Sequence, residues 1–180
     1  MPAAVPADLF AFLSELAIRT RTVEHTPVFT VAESRGIKER IPGAHTKNLF
    51  VKDRRGALFV VVARAEAKID LKRLHEAIGA AGRLSFGSAD LLRETLGVEP
   101  GSVTPFAVIN DKAARVSVVL DADLMAYNEI NVHPLVNTMT TTIARENLLA
   151  FLRACGHPPR VVALPAPAAQ PSEEAAVIPS

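Results

Sequence analysis

The stretch that decides the fold is Gly43-Ala44-His45-Thr46-Lys47-Asn48-Leu49-Phe50-Val51. It begins at a turn and passes from polar to apolar side chains, which predicts a strand whose entrance carries chemistry. His45, Lys47 and Asn48 lie at this entrance, and the apolar residues that follow are expected to be buried. A surface loop with a solvated lysine is the alternative interpretation, because Lys side chains are rarely buried.

A second strand is predicted immediately downstream. Asn48–Lys52 and Leu58–Ala63 are joined by Asp53-Arg54-Arg55-Gly56, and a polar loop that ends in glycine between two apolar runs is typical of a β-hairpin. The continuous apolar run of the second strand favours a central strand that is covered on both faces. Shorter runs predict six further strands: Arg21–His25, Leu84–Phe86, Phe106–Ile109, Val116–Leu120, Glu129–His133 and Arg160–Leu164.

Helices are predicted between these strands from apolar periodicity and capping residues. They are residues 8–20 with Asp8 as N-cap, Phe29–Arg35 ending at Gly36, a helix from Asp70 to Gly79 with Leu71 facing inward, one from Ser88 to Gly97, and residues 143–155 with Thr142 as N-cap. Hairpins mixed with helices, without a regular βαβ alternation, predict an α+β fold: a single domain with a mixed, mostly antiparallel central β-sheet flanked by helices. The domain is expected to span residues 1–164, and the Pro/Ala-rich tail of residues 165–180 is expected to be disordered.

Composition narrows the class of function. The chain has 180 residues, 49% of them hydrophobic, and a net charge of +1, so any contact with nucleic acid has to be local. The single cysteine, Cys155, excludes a disulfide within the chain and fits a reducing compartment. Neither a basic signal-peptide region nor an apolar run of the roughly 20 residues that span a bilayer is present. These features predict a cytoplasmic domain without membrane contact.

Three polar clusters remain as candidates for chemistry: His45, Lys47 and Asn48; Gly101, Ser102 and Thr104; and Asn131 and His133, with Asn137 and Thr138 close behind. The sequence lacks a phosphate-binding loop, a dinucleotide fingerprint, a zinc-binding spacing and a nucleophile elbow, so neither cofactor nor metal is expected. A glycine such as Gly101 lets main-chain N–H groups approach a ligand and stabilise an oxyanion. Taken alone, Gly101 is better explained as a tight turn, and His133 as a histidine that ends a strand.

Together, the segments around these clusters resemble the YbaK/prolyl-tRNA synthetase editing-domain family. The matching segments are residues 43–50, residues 101–107, and residues 131–137 followed by Thr140-Thr141-Thr142. The likeness extends from about residue 8 to about residue 160 and is greatest to the free-standing ProX branch, whose members are trans-acting deacylases. The resemblance therefore implies hydrolysis of the ester that joins a mischarged alanine to tRNA(Pro).

The resemblance also implies roles for individual residues. Lys47 would hold the phosphate of the terminal adenosine or polarise the ester, because its ammonium group is a compact charge. The Gly101-Ser102 backbone would face the scissile carbonyl, and His133 would orient water or the amino acid without acting as an obligatory base. The implied catalytic residues are Lys47, Gly101, Ser102 and His133; the implied substrate-binding residues are Asn48, His45, Phe29, Val31, Phe50, Thr104 and Asn131.

The implied partner is the acceptor end of tRNA(Pro) that carries a wrong amino acid, with prolyl-tRNA synthetase as a further candidate. Exposed basic residues at the hairpin, Lys52, Arg54 and Arg55, would touch the acceptor stem or remain solvated. Three alternatives stay open: a deacylase for Cys-tRNA(Pro) or another small mischarged amino acid, a non-catalytic tRNA- or synthetase-binding module of the same fold, and a hydrolase of a small ester that is not tRNA.

Overall fold

The computed structural model describes residues 2–28 and 30–168. Within these residues the chain forms eight β-strands, five α-helices and two 3₁₀ helices. The strands are β1 Thr20–Glu24, β2 Ala44–Lys52, β3 Leu58–Arg64, β4 Ser85–Phe86, β5 Val116–Asp121, β6 Glu129–Val132, β7 Met139–Ala144 and β8 Arg160–Val162. The α-helices are α1 Pro6–Glu15, α2 Val31–Arg40, α3 Leu74–Ile78, α4 Ala89–Leu96 and α5 Arg145–Ala154, and the 3₁₀ helices are Pro105–Asn110 and Ala122–Ala126.

All eight strands belong to one sheet with the order β1-β7-β6-β2-β3-β5-β8, and β4 pairs with β2 beside this path. Four pairings are antiparallel, namely β1 with β7, β6 with β7, and β2 with β3 and β4, whereas β2–β6, β3–β5 and β5–β8 are parallel. This arrangement confirms the α+β prediction of a mixed, mostly antiparallel sheet. None of the helices in the described part of the chain is long and apolar enough to cross a bilayer.

Strand β2 is the centre of the sheet and has different neighbours along its two edges. One edge pairs with β3 from Thr46 to Lys52. The other edge pairs with β6 only at Ala44 and His45, and with β4 only at Val51 and Lys52. The middle of this second edge therefore has no partner strand, and β6 and β2 separate after His45 in the manner of a fork.

Two apolar clusters cover the two faces of the sheet. Alternate residues of β3 enter different clusters: Val60 and Val62 pack into the larger one, whereas Phe59 and Val61 pack into the smaller one. This is the two-residue period of a strand that is buried on both faces. Helices α1, α4 and α5 supply leucines and Phe151 to the larger cluster, and α3 supplies Leu74 and Ile78 to the smaller one.

Local signals around the predicted hairpin and the fourth helix are confirmed. Asp53–Gly56 connects β2 to β3, and Gly56 adopts a positive φ of 86°. Ser88 caps α4, since its hydroxyl accepts a hydrogen bond from Leu91 N at 3.1 Å, and Gly97 ends that helix in the left-handed conformation. Side chain and backbone therefore agree with the capping rules at both ends of the helix.

The predicted strand Phe106–Ile109 is wrong, because these residues lie in the 3₁₀ helix Pro105–Asn110. Pro105 occupies the start of this helix, and the Thr104 hydroxyl accepts a hydrogen bond from Phe106 N at 3.3 Å. A short apolar run has the same appearance in a strand and in a buried helix, so periodicity alone did not separate the two.

Several helix boundaries also differ from the prediction. Helix α2 continues through Gly36 to Arg40, α1 begins after Val5 rather than Asp8, and α5 begins after Ala144. Thr142 is not a cap but belongs to β7, a strand that was not predicted. Helix α3 begins only at Leu74, four residues after Asp70, and Leu71 is 45% exposed rather than facing inward. In the predicted tail, residues 169–180 lie outside the described residues, and Pro165 O accepts a hydrogen bond from Asp70 N at 2.7 Å.

Candidate active site at the fork of the central strand

The candidate site begins where β6 separates from β2. The parallel pairing ends at His45 opposite Asn131, and both strands then run in the same direction. Lys47 and His133 each lie two residues beyond this last pair. The fold thus brings these two predicted site residues, from distant parts of the sequence, to the same fork.

Asn131 holds the entrance of β2 in place. Its side-chain amide donates to Pro42 O at 3.1 Å and to Ala44 O at 3.4 Å, and its Oδ1 accepts from the Thr142 hydroxyl at 2.5 Å. Asn131 is 2% exposed, and a side chain at Gly43 would come within 3.0 Å of its amide nitrogen. Its polar atoms are engaged within the protein, so the expected direct contact of Asn131 with substrate does not fit the structure.

Lys47 and Asn48 are neighbours in sequence but project to opposite faces of the sheet. Lys47 shares its face with Leu49 and Val51 of the smaller cluster, because side chains alternate along a strand. Its ammonium group donates to the carbonyl of Ala67, in the turn after β3. Lys47 makes no salt bridge within the part of the chain that the structure describes. It is therefore a half-buried cation whose charge is not neutralised by a carboxylate.

Asn48 projects to the face of the larger cluster, where Phe50 is also buried. Its side-chain Oδ1 is buried and has no hydrogen-bond partner among the described residues. Buried polar atoms in proteins almost always have a partner, and one that lacks it needs an explanation. Asn48 thus has unsatisfied hydrogen-bonding capacity beside the fork.

His133 presents one ring nitrogen for chemistry. Its Nδ1 lies 3.0 Å from the carbonyl of Met139, and because a carbonyl only accepts, Nδ1 carries the proton and Nε2 is left as an acceptor. Burial lowers the pKa of His133 from its usual value, and the nearby His25 lowers this pKa further, while the hydrogen bond to Met139 opposes both effects. His133 is therefore held in its neutral form.

His25 is a neighbour of the site that the sequence did not indicate. Its ring lies 6.5 Å from the ring of His133, and its Nε2 is 2.8 Å from the hydroxyl of Thr140. It lines two clefts of about 560 and 440 Å³. The first is bounded by β1, the segment that follows it and the start of β7, and the second by α2. His25 comes close to His133 because β1 pairs with β7. Since β7 was not predicted, the sequence did not indicate that His25 lies beside the site.

The loop that carries Gly101 meets the loop that follows β6. Gly101 has a φ of 90°, and a Cβ at this residue would lie 3.6 Å from the side-chain amide of Asn137. Ser102 is buried, and its N–H donates to Glu99 O at 2.9 Å. Of the predicted Gly101-Ser102 backbone, the N–H of Ser102 is therefore engaged in the turn, whereas no such bond engages the N–H of Gly101 among the described residues. Thr104 is fully buried and caps the 3₁₀ helix, so it also serves structure rather than direct contact.

Of the remaining predicted substrate-binding residues, the structure places the side chains of His45 and Phe50 but not those of Phe29 and Val31. His45 Nε2 donates to Ile41 O at 2.8 Å, which ties the entrance of β2 to the end of α2. Phe50 is 4% exposed, and its ring fills the space that a side chain at Gly87 would occupy. Phe29 lies outside the described residues, as does the side chain of Val31. Among the residues that the structure places, no group of three or more His, Cys, Asp or Glu is arranged to hold a metal ion.

Comparison with known proteins gives a consistent result. The model of a family described as the aminoacyl-tRNA editing domain matches residues 25–151. The chain is 39% identical over 150 residues to the prolyl-tRNA editing protein ProX of Acetoanaerobium sticklandii, an alignment that covers 83% of this chain and 91% of that protein. It is 36% identical over 163 residues to prolyl-tRNA synthetase associated domain-containing protein 1 of Danio rerio, with 89% and 88% of the two chains covered.

The fold is also similar to that of a solved structure. The structure of a candidate trans-editing enzyme for prolyl tRNA synthetase has a TM-score of 0.66 at 19% identity, with 90% of this chain and 99% of that chain covered. At this level of identity the likeness shows the fold alone.

Proposed function

Because this chain belongs to the aminoacyl-tRNA editing domain family, we propose that it hydrolyses the ester of alanine mischarged onto tRNA(Pro) and does so in trans. The chain is an editing deacylase, and our proposal adds the amino acid and the tRNA. ProX of A. sticklandii is named as a prolyl-tRNA editing protein, which supports tRNA(Pro) as the carrier.

The observation that carries the proposal is the fork between β2 and β6. Lys47, whose ammonium group has no carboxylate partner among the described residues, and His133, whose imidazole is neutral, each follow the last β2–β6 pair by two residues, which supports a shared role in the reaction. A Cβ at Gly101 would lie 3.6 Å from the side-chain amide of Asn137, which follows β6, so the Gly101 loop lies beside the segment that carries His133. Cation, hydrogen-bond acceptor and exposed backbone are the groups that ester hydrolysis requires, and neither a metal nor a nucleophilic side chain is needed.

In the proposed reaction, water attacks the ester carbonyl that joins the amino acid to the terminal ribose. His133 Nε2 accepts a hydrogen bond from this water and orients it. The negative charge that develops on the carbonyl oxygen is stabilised by the N–H of Gly101 and by the field of Lys47. Collapse of the tetrahedral intermediate breaks the bond to the ribose oxygen, which takes up the proton that the attacking water loses, and releases free alanine and uncharged tRNA.

Specificity follows from size. A synthetase pocket built for proline rejects a smaller amino acid weakly, since a missing methylene is worth only about 1–3 kcal/mol. A second site that is too small for proline removes the error. The packed residues beside the fork, with Phe50 closed against Gly87, fit such a restricted space.

The partner in this proposal is the acceptor end of tRNA(Pro), held by local contacts because the net charge of the chain is only +1. Exposed basic residues lie at the end of β2 and in the turn after it, where Lys52, Arg54 and Arg55 supply positive charge. Prolyl-tRNA synthetase is the proposed source of the mischarged substrate. We place the reaction in the cytoplasm, where a free cysteine such as Cys155 stays reduced.

A panel of aminoacylated tRNA(Pro) tests the proposal. Ala-tRNA(Pro), Cys-tRNA(Pro) and Pro-tRNA(Pro) are each mixed with excess protein, and the charged fraction is followed with time. We expect rapid loss of the alanyl ester and no loss of the prolyl ester beyond spontaneous hydrolysis. Cleavage of the cysteinyl ester alone would contradict the alanine assignment, and no cleavage of any ester would indicate a binding module.

A further inference from the structure

The middle of β2 exposes backbone groups on the edge that faces the fork. His45 O accepts from Ala65 N at 2.7 Å, and Asp53 N donates to Ala57 O at 3.0 Å, so the odd-numbered residues of β2 direct their backbone toward β3. Along an antiparallel ladder, residues whose N–H and C=O bond to the partner strand alternate with residues whose N–H and C=O point away from it. The even-numbered residues of β2 therefore direct these groups to the edge opposite β3. Phe50 confirms the alternation, because its carbonyl accepts from Gly87 N beyond the opposite edge, at 2.9 Å.

By this alternation, Asn48 directs both its N–H and its C=O into the gap between β6 and β4. The β6 pairing ends three residues before Asn48, and the β4 pairing begins three residues after it. Within the described part of the chain, no hydrogen bond to either backbone group is found. The buried Oδ1 of the same residue also lacks a partner among the described residues. Asn48 therefore has one donor and two acceptors unused, although it is only partly exposed.

We infer that the aminoacyl group of the substrate docks on Asn48 as a one-residue strand, an inference that rests on the proposed deacylase function. An aminoacyl ester carries an α-ammonium group and a carbonyl on adjacent carbon atoms, just as a residue of a strand carries its N–H and C=O. Two facing residues of an antiparallel ladder exchange both hydrogen bonds. The α-ammonium group donates to Asn48 O, and the ester carbonyl accepts from Asn48 N–H.

This docking assigns a chemical role to a backbone group rather than to a side chain. The Asn48 N–H polarises the scissile carbonyl and remains hydrogen-bonded as the oxygen gains negative charge, which is the action of an oxyanion donor. The unpaired Oδ1 offers the α-ammonium group a further acceptor beside the same peptide. A free α-ammonium group is what distinguishes an aminoacyl ester from a simple acyl ester.

The docking also makes recognition depend on the chirality of the amino acid. Facing residues of an antiparallel pair project their side chains to the same face of the sheet. The methyl group of an L-alanyl ester therefore points to the face of Asn48 and Phe50, whereas a D-alanyl ester directs it away from that face. Recognition through Asn48 predicts faster hydrolysis of L-alanyl-tRNA than of D-alanyl-tRNA.

Two variants at one position test the backbone role. Asn48→Ala keeps the N–H and removes only the side chain, whereas Asn48→Pro removes the N–H as well. Proline is tolerated where the missing N–H faces away from the ladder, so Asn48→Pro leaves every bond to β3 in place. Under single-turnover conditions with Ala-tRNA(Pro), we expect Asn48→Pro to be slower than Asn48→Ala by about a hundredfold, the usual effect of losing one oxyanion donor. Equal rates in two variants with native melting temperatures would overturn the inference.

A change in the substrate gives a readout that does not depend on the folding of a variant. Propionyl-tRNA(Pro) keeps the carbonyl and lacks the α-ammonium group. We expect the wild-type protein to accelerate its hydrolysis, relative to the spontaneous rate, at least tenfold less than that of the alanyl ester. Equal acceleration of the two esters would contradict docking on Asn48 O.

A binding measurement separates this inference from the proposed function. A 3′-alanylamido analogue of adenosine cannot be hydrolysed, and its binding is followed through the backbone amide signals of ¹⁵N-labelled protein. We expect the signal of Asn48 to shift the most, whether or not the protein hydrolyses Ala-tRNA(Pro). Shifts elsewhere in the sheet with an unchanged Asn48 signal would overturn the docking, whereas failure of the deacylation panel overturns the function.

Discussion

The far end and the middle of β2 differ in how far their polar groups are hydrogen-bonded. Beyond its last residue, the carboxylate of Asp53 accepts three backbone hydrogen bonds, from Arg55 N and Ala57 N at 2.9 Å and from Ala81 N at 2.8 Å. In the middle, Asn48 leaves its side-chain oxygen and its backbone unpaired toward the fork. A protein stabilises itself by pairing its polar groups, so groups left unpaired on a rigid strand are available to a ligand. Asp53 is thus a residue that maintains the fold, whereas Asn48 is one that we propose to bind the substrate.

Lys47→Ala should have the largest effect on activity. Loss of the ammonium group removes the positive charge at the fork, and we expect the single-turnover deacylation of Ala-tRNA(Pro) to slow by about 10²–10³-fold. The melting temperature should change little, because the substitution keeps the backbone bonds to β3 and removes one side-chain hydrogen bond, from the ammonium group to Ala67 O. The exposed Lys72 provides a matched control: Lys72→Ala should retain the wild-type rate. A Lys47→Ala rate within twofold of wild type would remove this residue from the mechanism.

Asp53→Ala should reverse this pattern, with a loss of stability and an unchanged rate per folded molecule. Three hydrogen bonds to a carboxylate disappear, and we expect the melting temperature to fall by about 5–10 °C. Asp90→Ala is the control, since the side chain of Asp90 is 98% exposed. Equal melting temperatures for the two variants would show that the far end of β2 is not held by Asp53.

The stabilisation by Asp53 also has a defined pH dependence. The hydrogen bond from Ala81 N, followed by those from Ala57 and Arg55, lowers the pKa of Asp53 below its ordinary 3.8. A carboxyl group with a lowered pKa stabilises the fold above the ordinary value and loses this contribution as the pH falls through the lowered one. Wild type and Asp53→Ala should therefore converge in stability in acid. A difference that persists or grows at low pH would contradict this linkage.

His133 should show a smaller effect, a shift in titration. Burial lowers its pKa, so its NMR titration should have a midpoint below the ordinary 6.5, and activity should decline as the pH falls through that midpoint. His25→Asn removes one of the lowering influences and should move the midpoint upward, whereas His75→Asn on α3 should leave it in place. A midpoint above 6.5 would mean that His133 is charged near neutral pH and does not accept a hydrogen bond from water.

Cys155 should show the smallest effect of all. Burial raises the pKa of this thiol to about 11, so it is protonated at neutral pH and reacts slowly with alkylating reagents. Cys155→Ser should deacylate Ala-tRNA(Pro) at the wild-type rate. Rapid alkylation at pH 7 accompanied by loss of activity would point to a thiol mechanism instead.

The sequence predicts the parts of the fold that local chemistry determines. The hairpin at Asp53–Gly56 and the capped helix α4 follow from glycine positions and apolar periodicity. Strand β7 was missed because its centre, Thr140-Thr141-Thr142, is polar by composition, although these residues are buried in the sheet between β1 and β6. Hydrogen bonds to β1 on one side and to β6 on the other stabilise β7. Because these partner strands are distant in sequence, the local sequence of β7 does not predict it.

Local sequence is limited for a similar reason at the candidate site. Family resemblance indicates Lys47, Asn48, Gly101 and His133 as site residues, and the fold adds that Lys47 and His133 each follow the last β2–β6 pair by two residues. The resemblance did not distinguish these residues from Asn131, whose side-chain amide donates to Pro42 O and Ala44 O and whose Oδ1 accepts from Thr142. A motif joins residues that contact a ligand with residues that position them, and hydrogen-bond partners are needed to tell the two apart.

Single-turnover deacylation of Ala-tRNA(Pro) and Pro-tRNA(Pro) by the wild-type protein and by Lys47→Ala tests the proposed editing reaction and the role of Lys47 together. We expect the wild type to remove alanine and spare proline, and Lys47→Ala to lose about 10²–10³-fold of the alanine rate with little change in melting temperature. Hydrolysis of both esters at similar rates, or a Lys47→Ala variant as fast as wild type, would contradict this expectation.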